Sequence, residues 1–80
     1  MNRSEIEKKV TGFLLNDLEL EPSLVTMDAR LEEDLGIDSL DFVDIIVIVH
    51  REFGFKPTPQ EMGIAKTVRE FCDYIESKLG

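Results

Sequence analysis

One serine in this sequence lies among residues that suit chemistry on its side chain. Ser39 follows Asp38 directly, and two further acids, Asp41 and Asp44, come shortly after it. A serine hydroxyl becomes a good nucleophile only when a neighbouring base activates it. The only histidine, His50, lies 11 residues further along, which is about 16 Å in a helix. This spacing excludes an intrachain serine–histidine pair and predicts that other enzymes act on Ser39.

The surroundings of Ser39 contain no other recognisable catalytic machinery. The serine is not flanked by the glycines of a nucleophile elbow, and no pair of residues is spaced for acid–base work. His50 also lacks companions that would complete a metal site. We therefore expect neither catalytic residues nor metal ligands, which makes a small enzyme the weakest hypothesis.

The segment after Ser39 contains an apolar β-branched run, IIVIV, which by propensity alone would suggest a buried strand. As a strand, however, each of its faces would carry one acid among apolar neighbours. As a helix, five side chains follow the spacing i, i+3, i+4, i+7 and i+11 and form one core stripe. These are Phe42, Ile45, Ile46, Val49 and Phe53. Burial of such side chains outweighs the few tenths of a kcal/mol that each β-branched residue costs a helix. We predict a helix.

The predicted ends of this helix have their own signals. Asp38 is a favoured N-cap residue and Asp41 stands three positions later, at N3. Gly54 lies where helices often stop, and Pro57 prevents continuation. Ser39 thus becomes the first helical residue, beside free backbone N–H groups that favour a phosphate ester.

A second apolar stripe runs beside the core stripe of this helix. Leu40, Val43 and Val47 follow helical spacing and are bordered by the three aspartates. Two interpretations remain at this point: the stripe is peripheral core, or it is a strip on which partner proteins dock. In so small a domain burial on all sides is hard to arrange, so we favour the docking strip.

The remaining helices are predicted from capping and periodicity. A capping box at Ser4 and Glu7 predicts a first helix from about Ser4 to Leu18. The connection from Glu19 to Ile37 is long, and its apolar anchors predict an ordered loop. Its anchors are Leu24, Met27, Leu31, Leu35 and Ile37. A short helix is expected within Thr58 to Ile64, and a capping box at Thr67 begins a fourth helix. We predict a single all-α domain over residues 1–80, a small four-helix bundle with three longer helices and one short one.

Charge and composition narrow the possible partners and the location. The chain has a net charge of −8, and residues 17–44 carry ten acids against Arg30 alone. Such a field repels nucleic acid and anionic membranes and attracts basic protein surfaces. The chain shows neither a signal peptide nor a membrane-spanning segment, and its single cysteine, Cys72, fits a reducing compartment. We expect a cytoplasmic monomer with no membrane insertion.

The stretch DLGIDSLD, Asp34 to Asp41, resembles the attachment motif of acyl carrier proteins. The resemblance extends over nearly the whole chain and implies that Ser39 receives 4′-phosphopantetheine from coenzyme A. It also implies a surface recognised by basic grooves on the phosphopantetheinyl transferase and the acyl-processing enzymes. That surface would consist of Asp38, Leu40, Asp41, Val43, Asp44 and Val47. The implied role is to carry acyl groups as thioesters in fatty-acid or related lipid or polyketide biosynthesis.

Three departures from the family pattern concern the pathway rather than the carrier role. His50-Arg51-Glu52 replaces the usual glutamates before Phe53, the short third helix carries only Glu61, and Phe42 stands where a smaller residue is common. They suggest a carrier dedicated to a specialised pathway, in which an aminoacyl route is one alternative. GIDS at the motif argues against the peptidyl carriers. The other alternative is an interaction module of the same fold that is never modified.

Overall fold

Four α-helices, all within one body, make up the computed structural model, which describes residues 1–80. They are α1 (Arg3–Asn16), α2 (Ser39–Phe53), α3 (Pro59–Met62) and α4 (Val68–Leu79), and a 3₁₀ turn (Pro22–Leu24) lies in the long connection. No strand forms; the only β-type pairing is an isolated bridge between Arg30 and Thr67. The predicted all-α fold with three longer helices and one short helix is confirmed.

The start of α1 corrects the sequence-based prediction. The N-cap is Asn2, whose side chain accepts a hydrogen bond from the backbone N–H of Glu5 at 2.9 Å, and Ser4 lies inside the helix. Asparagine is at least as good an N-cap as serine, so the capping box predicted at Ser4 does not form. The helix also ends earlier than predicted, at Asn16.

The core is formed by apolar stripes from the three longer helices. Both α1 and α4 bury most of the side chains that their periodicity predicted. The two exceptions are Leu18, which lies beyond the end of α1 and is half-buried, and Leu79, which is exposed at the end of α4. In α2 the predicted stripe is displaced: Phe42 and Ile46 are half-buried, while Ile48 is buried instead. Ile45, Val49 and Phe53 are buried as predicted.

The long connection between α1 and α2 is ordered because both backbone and side chains attach it to the bundle. The N–H of Leu31 donates to the carbonyl of Lys66 at 2.8 Å, and the N–H of Val68 donates to the carbonyl of Ala29 at 3.0 Å. Of the five predicted anchors, three are buried, namely Leu31, Leu35 and Ile37, and Met27 is half-buried. The exception is Leu24, which is 50% exposed because it lies in the 3₁₀ turn.

Helix α3 is only four residues long, so contacts with its neighbours must hold it. Thr58 caps it, and Met62 buries its side chain. The carboxylate of Glu61 accepts a hydrogen bond from the Tyr74 hydroxyl at 3.2 Å and pairs with Lys78 at 2.8 Å. The lysine contact is the main reason that the pKa of Glu61 is lowered. The short helix is thereby attached to α4.

Candidate functional site

Ser39 is the first residue of α2, and its side chain is exposed. The two aspartates that flank it form a reciprocal capping box. Asp38 accepts hydrogen bonds from the N–H groups of Leu40 and Asp41, both at 3.0 Å. Asp41 accepts one in return from the N–H of Asp38 at 3.2 Å. Because the aspartates make the cap, the Ser39 hydroxyl is left out of it and remains available to another molecule.

A tight turn before α2 determines where Ser39 lies. Asp34 accepts hydrogen bonds from the backbone N–H of Arg30 at 2.8 Å and from its guanidinium at 3.4 Å. These two contacts hold the pKa of Asp34 below its ordinary value. Gly36 adopts φ +69°, a left-handed conformation that glycine accepts without strain. Ile37 then enters the core with only 2% of its surface exposed. A buried residue two positions before Ser39 thus fixes the start of the helix.

The second apolar stripe of α2 is on the surface. Leu40, Val43 and Val47 are 76%, 59% and 63% exposed. This excludes the interpretation of the stripe as peripheral core. Among the bordering acids, Asp38 and Asp44 are exposed and Asp41 is half-buried. Five of the six residues expected to form a docking surface are therefore exposed at the Ser39 end of α2, and the sixth, Asp41, is half-buried there.

The surroundings of Ser39 favour a negatively charged group and place no histidine or cysteine within reach of its hydroxyl. A negatively charged ester on Ser39 would lie at the positive end of the helix dipole, near backbone N–H groups. His50 is exposed in the last turn of α2 and lies too far away to act as a base. Cys72 is buried in α4. No group of His, Cys, Asp and Glu side chains is arranged to hold a metal ion.

The cavities of the molecule lie outside the predicted attachment site. Beside the first turn of α2, Phe42 lines a cavity of about 90 Å³ together with residues of the long connection and of the α3–α4 turn. Within the core a void of about 10 Å³ is lined by apolar side chains. That void is no larger than one water molecule. A surface groove of about 590 Å³ runs between α3 and α4 and is lined by none of the predicted site residues.

Two features of the surface were not predicted from the sequence. Ile64, directly after α3, is 76% exposed and borders the α3–α4 groove. No periodicity could place it, because α3 is too short to define a face. Arg51 is exposed at the far end of α2, beside His50, which the sequence does predict to lie on the surface. Their helical spacing from Val43 and Val47 was a usable signal, since residues three and four apart share a helix face.

None of the helices combines the length and the apolar character of a membrane-spanning segment.

Comparisons with a family model, with related sequences and with solved structures all find proteins that carry phosphopantetheine or are named acyl carrier proteins. Residues 8–75 match the family model described as a phosphopantetheine attachment site. The chain is 38% identical over 79 residues to the acyl carrier protein of Thermosynechococcus vestitus, with 99% of this chain and 98% of that one covered. It is 40% identical over 79 residues to the acyl carrier protein of Thermotoga maritima, with the same coverage. Among solved structures, the acyl carrier protein from Enterococcus faecalis is similar with a TM-score of 0.77 and 28% identity, covering 96% of this chain and 98% of that one.

Proposed function

This chain belongs to the acyl carrier protein family, and on that premise we propose that Ser39 is the residue to which 4′-phosphopantetheine is attached. The family consists of non-catalytic carriers that act in fatty-acid biosynthesis and interact with a modifying transferase and acyl-processing enzymes. The observation that carries the proposal is the exposed hydroxyl of Ser39 at the start of α2, uninvolved in the capping box. In the modification, the Ser39 oxygen forms a phosphate ester and the nucleotide part of coenzyme A leaves.

The residues around Ser39 suit that attachment. Asp38 and Asp41 hold the first turn of α2 rigid, and Ile37 anchors the chain just before it. The positive end of the α2 dipole favours the negative charge of the ester, while the N–H groups of Leu40 and Asp41 already donate to Asp38. The attached arm supplies the thiol that holds acyl groups as thioesters. The protein body needs no catalytic group of its own, because the chemistry belongs to the cofactor and the partner enzymes.

We propose further that the six-residue face at the Ser39 end of α2 is the docking surface for these enzymes. Three exposed aliphatic side chains bordered by three aspartates fit a partner groove that is apolar in the middle and basic at its edges. Attraction between opposite charges speeds the encounter without making the complex permanent. The residues of this surface are Asp38, Leu40, Asp41, Val43, Asp44 and Val47.

The departures from the family pattern support a dedicated carrier for a specialised lipid or polyketide-like pathway. His50 and Arg51 are exposed in the last turn of α2, where acids are usual in the family. The mass of the group found on the protein when it is isolated from its host would identify the cargo.

We also propose a cytoplasmic location, since the one cysteine is a buried free thiol with no partner for a disulfide.

The attachment site is tested by incubating the unmodified protein with coenzyme A and a promiscuous phosphopantetheinyl transferase. The intact mass of the wild type is expected to rise by one phosphopantetheine arm, and Ser39→Ala should abolish the rise. Ser23→Ala removes another exposed serine, from the 3₁₀ turn, and should leave the rise unchanged. An unchanged wild-type mass, with a transferase active on a control carrier, would contradict the proposal and favour the unmodified interaction module.

A further inference from the structure

The exposed residues of α2 form one face along the whole length of the helix. Their spacing of three and four residues keeps them on the same side, opposite the buried Ile45, Ile48 and Val49. From the Ser39 end to the far end, this face consists of Leu40, Val43, Asp44, Val47, His50 and Arg51. The docking surface proposed above is therefore only the first part of a longer exposed face.

The charge along this face changes from one end to the other. Asp38, Asp41 and Asp44 make the Ser39 end acidic, whereas the last turn carries His50 and Arg51. The middle is aliphatic, with Val43 and Val47 both more than half exposed. A partner groove that is basic throughout would match the first end and would place a cation against the guanidinium of Arg51 at the second end, where the neighbouring acids Glu52 and Asp17 reduce the repulsion.

Contacts with neighbouring acids hold Arg51 in a defined orientation. Its Nε donates to Oε2 of Glu52 at 3.1 Å, and its Nη2 donates to Oδ2 of Asp17 at 3.4 Å. Together with a contact from Lys9, the hydrogen bond from Arg51 keeps the pKa of Glu52 low. The Nη1 group takes part in neither contact, and the side chain remains 58% exposed. A guanidinium oriented in this way loses little freedom when it binds a carboxylate.

We propose that the enzymes that dock on α2 place a carboxylate opposite Arg51, about 18 Å along the helix from Ser39. This inference rests on the proposed carrier function and specifies the partner surface. Cations of the partner would face the aspartates near Ser39, and an acid would face the last turn. Two opposite charges at the two ends allow one docking direction and disfavour its reverse, which would bring like charges together.

A second copy of this chain is a less suitable occupant of the same face. An antiparallel pair of α2 helices would bring Asp44 of each copy towards Arg51 of the other. The shared apolar area would, however, come from three aliphatic side chains per copy. Stable interfaces use about 20–30 residues on each side. The charge pattern therefore fits a transient enzyme partner better than a dimer.

The test is a double-mutant cycle on binding. The probe is a promiscuous phosphopantetheinyl transferase, and the measured quantity is its Kd for the Ser39→Ala protein, which docks without reacting. Each acid lining the docking groove of the transferase is replaced in turn by lysine. At one groove position we expect the replacement to weaken binding of the protein that keeps Arg51, relative to binding of the Arg51→Glu variant, by about tenfold, as the loss of a close charge pair does.

Two further variants make the result specific. Lys8→Glu makes the same charge change on the exposed surface of α1, where Lys8 has no ion pair, and no groove position should couple to it by more than about twofold. Arg51→Gln repeats the cycle with half of the charge change, in case Arg51→Glu disturbs the fold beside Glu52. For Arg51→Gln we expect a coupling energy at the same groove position that is smaller than the one for Arg51→Glu.

The proposal is overturned if no groove position couples to Arg51 more strongly than to Lys8, because docking would then end before the last turn of α2. It is also overturned if sedimentation shows a dimer that Arg51→Glu dissociates, since Arg51 would then face a second copy. Because Ser39→Ala cannot be modified, these outcomes are independent of the attachment reaction. Failure of the wild type to gain mass would contradict the proposed function instead.

Discussion

At the residue scale, the residues that cap the start of α2 are different from the residue proposed to be modified. Asp38 and Asp41 complete the cap, so Ser39 has no structural hydrogen bond to give up when it is modified. Asp44, one turn further on, is exposed and takes no part in the cap. Its proposed contribution is electrostatic and can be tested without disturbing the helix start.

Asp44→Lys is expected to lower kcat/KM for modification by the transferase about tenfold, because it reverses a charge in the docking surface. Initial rates at low ionic strength measure the effect. Salt should reduce it, since exposed charges are screened.

Glu76→Lys is the control for this reversal, because Glu76 is an exposed acid on α4; since it also removes an ion pair with Arg3, both variants are compared at a temperature at which both are folded. Glu76→Lys should change the rate little. Equal sensitivity of the rate to the two reversals would remove the case for a docking surface on α2.

Cys72 offers a second test at the residue scale. Burial raises the pKa of its thiol to about 11, and only the thiolate is a good nucleophile. At pH 8 the native, unmodified protein should therefore react slowly with an aromatic disulfide reagent. One fast-reacting thiol should appear after modification, when the arm is present.

Urea should make Cys72 reactive, and Cys72→Ala should remove this slow thiol while leaving the fast one. Rapid reaction of the native, unmodified protein would show that the core around Cys72 opens readily.

At the scale of elements, a single side chain joins the two ends of the chain. Arg3 in α1 pairs with Asp73 at 2.6 Å and Glu76 at 3.1 Å in α4, and with Glu7 at 2.8 Å in its own helix. The hydrogen bond that Arg3 donates to Asp73 is the main reason that the pKa of Arg3 is raised. The cluster adds to the apolar contact between the two helices.

Arg3→Met keeps the apolar stem and removes the charge, and is expected to lower the free energy of unfolding by about 1 kcal/mol. Urea denaturation at low salt measures this loss, which should shrink at high salt. Lys8→Met removes an unpaired cation from the same helix and should have little effect. If the two variants lose the same stability, the ion pairs of Arg3 contribute nothing specific.

At the scale of the whole molecule, the structure has a closely packed core, with the proposed attachment site at one end of α2. The core leaves a void of only about 10 Å³, so an acyl chain can enter only if core side chains move. The charge is also unevenly distributed, since ten of the acids lie within residues 17–44. Near Ser39 the negative charge comes from Asp38, Asp41 and Asp44, whereas Asp17 lies against Arg51 at the other end of α2.

We predict that the protein is a monomer at micromolar concentration, because the exposed strip is too small to hold a dimer together. Sedimentation velocity at moderate salt measures the state. Val47→Glu interrupts the strip and should leave the sedimentation coefficient unchanged. A concentration-dependent dimer that this substitution dissociates would contradict the prediction.

Much of the fold is predictable because local signals agree with it. The caps at Asp38 and Thr67 and the glycine that ends α2 mark boundaries by short-range hydrogen bonds and backbone conformation. The predicted start of α1 was wrong because Asn2 and Ser4 are both favoured N-cap residues, and sequence spacing alone does not decide between them. The prediction that Leu24 anchors the loop was wrong, because an irregular loop has no repeating spacing from which the burial of a side chain can be predicted.

The sequence by itself determined that Ser39 begins a helix and that Leu40, Val43 and Val47 share a stripe, since helix geometry relates residues three and four apart. Only the tertiary structure decided that the stripe is exposed, because burial depends on which neighbouring elements cover a face. It also brought Asp17, 34 residues away in the chain, against Arg51, and so oriented the cation at the far end of α2. Contacts between distant parts of the chain leave no periodic trace in the sequence.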